Sequence, residues 1–139
     1  MRKIKIKLPH SDNYALVHVC ESKEEFNKVS QVEDNRAYGS CIGCKVENYK
    51  RGKKPVKCEA ALVYLIKNKV GAGYVSHELT HAVLYLLRFH LKRLLLTASW
   101  WSGGRSPDIE EYICDTMLVL QNKFWNWWFR NYDKVLEKR

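Results

Sequence analysis

A chain of 139 residues fits one domain and leaves little room for two. Apolar residues make up 46% of it and aromatics 12%, which is enough for a core and excludes global disorder. The longest purely apolar stretches, Ala60 to Ile66 and Ala82 to Leu87, fall far short of the roughly 20 residues a bilayer span needs, so no membrane role is expected.

The net charge is +9 and unevenly placed, with 15 of the 24 Lys and Arg in residues 1–70. The densest cluster is Lys45, Lys50, Arg51, Lys53, Lys54 and Lys57. Such a run either forms a solvated loop or attracts nucleic acid or an acidic protein, and the sequence leaves both open. Met1 to Leu8 alternates charged and apolar residues, where a signal peptide would carry an unbroken apolar stretch after its basic start. The chain is therefore expected to be unexported and cytoplasmic, with Cys20, Cys41, Cys44, Cys58 and Cys114 as free thiols.

In chain order, Ile4, Ile6 and Leu8 alternate with lysines, a period of two that predicts a half-buried strand ended by Pro9. Tyr14 to Cys20, rich in β-formers, predicts a second strand. Ser22, with Glu25 three residues on and then Phe26 and Val29, predicts a capped helix to about Val32. Residues 34–57, rich in Gly, Asn and Lys, read as a poorly packed loop or hairpin. The apolar run Ala60 to Ile66 is short enough to favour a strand over a helix. From about Tyr74 to Leu96 the pattern is helical, with Leu79, Val83, Leu86 and His90 on one stripe and Ala82 beside it. A loop at Trp100 to Arg105 precedes a last helix with Ser106 as N-cap and Pro107 at its first position. Acidic residues fill its first turn, Ile109, Ile113, Met117 and Leu120 stripe it, and it runs through the aromatic segment Phe124–Phe129 to near Tyr132.

His77-Glu-Leu-Thr-His81 is HExxH inside the first long helix. Residues four apart lie one above the other, so both imidazoles can bind one Zn²⁺. Glu78 then stands beside the metal, placed to take a proton from the metal's water. A catalytic zinc needs a third protein ligand and an open position. The places where a metzincin carries a Gly and a third His hold Leu84 and Leu87, and His90 lies about half a turn away from His81 around the helix. What remains is Glu110-Glu111. Glu111 is favoured because Asp115 follows it by one turn and can reach the outer nitrogen of a ligand histidine, fixing its tautomer.

His77-Glu-Leu-Thr-His-Ala-Val83 resembles the active-site helix of thermolysin-type gluzincins, and Glu111-Tyr-Ile-Cys-Asp115 is similar to their ExxxD glutamate helix. The resemblance covers two short helices. It implies a zinc-dependent metallopeptidase with ligands His77, His81 and Glu111, Glu78 as general base and Asp115 as orienter, acting on a protein or peptide. For the Tyr and His with which that family stabilises the oxyanion, the candidates here are Tyr112, His90, Arg88 and Arg105. The small size more closely resembles the minimal gluzincins of phages and mobile elements, including the ImmA/IrrE-like group, which implies a host cytoplasm as the setting. In that plan an apolar edge strand, here Ala60 to Ile66, precedes the HExxH helix and binds an extended substrate by strand addition.

Other motifs carry less. Cys41-Ile-Gly-Cys44 with Cys58 and a fourth ligand would make a structural zinc site. Trp125, Trp127, Trp128 and Phe129 offer a stacking platform for bases, or core and interface aromatics packing on the HExxH helix or a second copy of the chain. The expected fold is one α+β domain over residues 1–139, a small, mostly antiparallel sheet packed on the HExxH helix and the glutamate helix in a minimal zincin-like plan. The alternative function is a zinc-binding but non-catalytic protein that docks on a host protein or nucleic acid through its basic first half, and a protease recruited to DNA is a further one.

Overall fold

The computed structural model describes residues 1–8, 12–31, 39–49, 51–95 and 107–132, within which the side chains of residues 48, 56, 88–95 and 107–112 are excepted. The elements run β1 (Arg2–Lys7), β2 (Tyr14–Cys20), α1 (Lys23–Ser30), β3 (Gly39–Asn48), β4 (Val56–Ile66), α2 (Ala72–Leu95) and α3 (Pro107–Tyr132), an α+β order. A 3-10 turn, Lys67–Lys69, leads into α2. Among the described residues, no helix is long and apolar enough to cross a membrane.

The four strands form one sheet in the order β1-β2-β4-β3. β1 pairs antiparallel with β2, and β3 antiparallel with β4, but β2 and β4 are parallel, so the sheet is mixed. The composition of the strands explains this order. A strand apolar on both faces belongs in the middle of a covered sheet. The run Ala60–Ile66 is of that kind, and β4 inserts between β2 and β3 rather than adding outside them. The expectation that Ala60–Ile66 is an edge strand is therefore corrected: β4 is paired on both sides, and β3 lies at the edge. Residues 34–57 are corrected in part as well. They contain the ten-residue β3, paired with β4 from Gly39↔Leu65 to Asn48↔Val56, and Gly52 supplies the left-handed residue (φ 77°) of the turn between them.

One core cluster joins Ile6, Val17, Ala61 and Val63 of the sheet to Leu79, Ala82, Val83 and Leu86 of α2 and to Leu120 and Phe124 of α3. On the opposite face of the sheet Phe26 of α1 packs with Cys20 and Ile66. Ser22 caps α1, its hydroxyl accepting from the Glu25 N–H at 3.2 Å, and Gln31 ends the helix in a left-handed conformation. The Glu25 carboxylate accepts from the Glu21 N–H at 2.7 Å, which holds its pKa below the usual range.

Candidate metal centre

The geometry of α2 follows from its apolar spacing. Val75, Leu79, Ala82, Val83 and Leu86 are buried, so the helix face is fixed by the core. At about 100° per residue, His77 and His81 fall nearly opposite that face and on the same side as each other. Both are exposed, and their Nε2 atoms stand 3.2 Å apart with the rings nearly perpendicular. At that distance either one ring donates to the other or both lone pairs point at one cation. Two imidazole nitrogens about 2.0–2.1 Å from a tetrahedral zinc stand about 3.3 Å apart, so the pair fits that ion.

Glu78 occupies the flank between the core and the histidines. Its side chain is 8% exposed where that of His77 is 67% exposed, and its Oε1 lies 4.0 Å from His77 Nε2. Burial raises the carboxyl pKa, opposed by His77 and His81. The wall that buries it is β3. A Cβ on Gly39 would stand 2.7 Å from Glu78 Cγ and 2.8 Å from Oε1, so no larger residue fits without moving the carboxylate. Two turns along α2, a Cβ on Gly43 would stand 1.9 Å from the Tyr85 ring. The Tyr85 hydroxyl donates to the buried Glu59 on β4. Gly39, Cys41 and Gly43 share one face of β3, and these small residues let α2 lie close against the edge strand. The sequence contains this signal as small residues at a period of two, but read as loop composition.

Of the predicted site residues, the structure brings together His77, Glu78 and His81. Asp115 lies exposed on α3, and among the described residues no third His, Cys, Asp or Glu side chain joins the two histidines in a group that could hold a metal ion. The side chains of Glu110 and Glu111, and those of Arg88, His90, Arg105 and Tyr112, lie outside the described residues. The contact tying α3 to this end of α2 is made by Gln121, whose amide donates to the Ser76 hydroxyl at 3.0 Å. Glu111 sits about 15 Å along the α3 axis from it.

The five cysteines are free thiols, and among the described residues they assemble no zinc site. Three residues apart on a strand, Cys41 and Cys44 point to opposite faces of the sheet: Cys41 packs against the main core, Cys44 with Cys58 on the other side. Burial, with the Glu78 charge acting in the same sense, pushes the Cys41 thiol up to about 12, so it stays protonated near neutrality and is a poor metal ligand. The basic cluster sits at the far end of the β3–β4 hairpin, where Lys45, Arg51, Lys53, Lys54 and Lys57 are exposed. Lys45 and Lys57 there border a cavity of about 600 Å³ that also includes Asn13 and Glu59. The aromatic segment is mainly core: Phe124 is buried, and Trp125, Trp127 and Trp128 pack on the main cluster.

No protein family, curated protein or solved structure matches the chain.

Proposed function

We propose that the chain is a zinc-dependent metallopeptidase of minimal gluzincin type. The observation that supports it most is the convergence of His77 and His81 Nε2 at 3.2 Å beside a carboxylate, Glu78, that is shielded from water. In this reading His77 and His81 hold the metal, Glu110 or Glu111 completes the set from α3, with Glu111 favoured, and Asp115 orients a ligand histidine. Zinc, when bound, supplies Lewis acidity toward the scissile carbonyl and lowers the pKa of water to about 7. Glu78 takes the proton of the attacking water and passes it to the leaving amine. The Gly39 wall keeps its carboxylate on the histidine side of the helix. The substrate adds as an extended strand to β3, whose Gly39 end lies against Glu78.

The test is Glu78→Gln. The variant keeps its zinc and loses peptide cleavage by at least about a hundredfold, the usual weight of a general base; full activity in Glu78→Gln contradicts the reading. Metal analysis of Glu110→Ala beside Glu111→Ala identifies the third ligand, with loss expected in Glu111→Ala. The exposed basic hairpin end favours a second reading, docking on nucleic acid with or without catalysis. Binding to DNA that weakens steeply with salt and survives His77→Ala supports a non-catalytic role, and cleavage stimulated by DNA supports recruitment.

A further inference from the structure

We propose, resting on the peptidase reading for the strand along β3, that Lys45 and Lys57 bind one carboxylate of that substrate, carried by an acidic side chain. Lys45 and Glu47 of β3 stand opposite Glu59 and Lys57 of β4, so the four side chains make a square of alternating charge. They share the face of the hairpin that Gly39, Cys41 and Gly43 turn toward α2, beyond the last of those small residues. Together with Asn13 they line the cavity of about 600 Å³. Opposite charges facing each other across a ladder stabilise it by pairing. Here each carboxylate instead accepts from a tyrosine hydroxyl, Glu59 from Tyr85 and Glu47 from Tyr49. Among the described residues neither lysine takes part in an ion pair.

The charges of the square select the ligand. Lys45 and Lys57 lie diagonally across the two strands, about 7–8 Å apart, and two lysine side chains reach one carboxylate across that distance. The square is neutral as a whole, so it offers no net attraction to a polyanion. A single carboxylate meets both ammoniums and leaves the glutamates on their hydroxyl donors. Its place along the substrate follows from the strand. Glu78 stands against Gly39, and Lys45 lies six residues further along the same face of β3. At about 3.4 Å per residue that is roughly 20 Å, so the acidic residue sits about six residues from the scissile bond, with its side chain on the α2 side.

Fluorescent peptides alike except for one residue, Glu, Gln or Lys, moved along the sequence test this by anisotropy, on the zinc-supplied Glu78→Gln chain so that none is cut. The Glu peptide is expected to bind about fivefold tighter than the Gln peptide at one position only, the scale of one to two exposed ion pairs, and the advantage fades with salt. Lys45→Gln with Lys57→Gln abolishes the preference, and Lys45→Glu with Lys57→Glu turns it toward the Lys peptide, with circular dichroism and zinc content unchanged. Cleavage by the wild type falls about six residues from the preferred Glu. No Glu advantage, or one equal at every position, overturns the proposal. So does a preference that survives Lys45→Gln with Lys57→Gln, a cut far from that distance, or displacement of Glu and Gln peptides alike by a DNA oligonucleotide. A wild type that cuts none of the peptides, while the one-position preference and its reversal hold, contradicts the peptidase reading and leaves the carboxylate site standing.

Discussion

His18 illustrates how far a side chain's chemistry depends on its strand position. It lies on β2, 8% exposed, with its ring stacked on Tyr64 at 4.7 Å. Burial lowers its pKa, the backbone of Val63 opposes this, and the charge of Lys3, its cross-strand partner, lowers it further against a lesser contribution from the backbone of Leu16. The unfolded chain takes up this proton near the ordinary value of about 6.5, and the folded chain only at lower pH. Acid therefore favours unfolding, and the stability that neutral His18 carries is present above about pH 6.5 and lost as pH falls below it. Thermal melts from pH 7.5 to 5 are expected to show a falling midpoint, with a shallower fall in His18→Phe, which keeps the stacking ring; equal slopes would assign the dependence elsewhere. At this scale the pair His77 and His81 was legible from a spacing of four, because helix geometry alone sets it. Cys41 and Cys44 cannot chelate one ion together here, because on a strand their side chains point to opposite faces of the sheet.

Between elements, the decisive contact is α2 against β3. Alternation of polar and apolar residues marks strands, and β3 hides it: Gly39, Cys41 and Gly43 occupy the face where large apolar residues would announce burial. β2 was legible to the residue, and α3 nearly so, because their apolar residues meet a core that needs them. β4 starts at Val56, four residues before its apolar run, because β3 pairs with it ahead of the point where β2 begins. The apolar run itself held the answer to its sheet position, since a strand with both faces apolar is a central one. Gly43→Ala tests the contact. Its Cβ cannot coexist with the Tyr85 ring as placed, so the ring must move away from Glu59. A loss of about 1–3 kcal/mol in denaturant unfolding is expected, the scale of overpacking at a close-fitting site. A neutral substitution would mean that α2 does not lie so close to the edge strand.

For the molecule as a whole, the sheet and α2 together leave two imidazoles exposed while sheltering the carboxylate between them. That arrangement costs stability, since a buried carboxylate and two solvent-facing rings contribute little to the core. Chains keep such arrangements where a bound cation repays them, by favouring the folded state that presents its ligands. The proposed activity, its substrate strand on β3 and the choice between Glu110 and Glu111 all depend on that cation. The direct measurement is zinc content per chain after purification and dialysis, for the wild type beside His77→Ala and His81→Ala. One tightly held zinc is expected in the wild type, lost in both variants with the fold retained. A wild type that holds no zinc and takes none up, or variants that keep it, would contradict it.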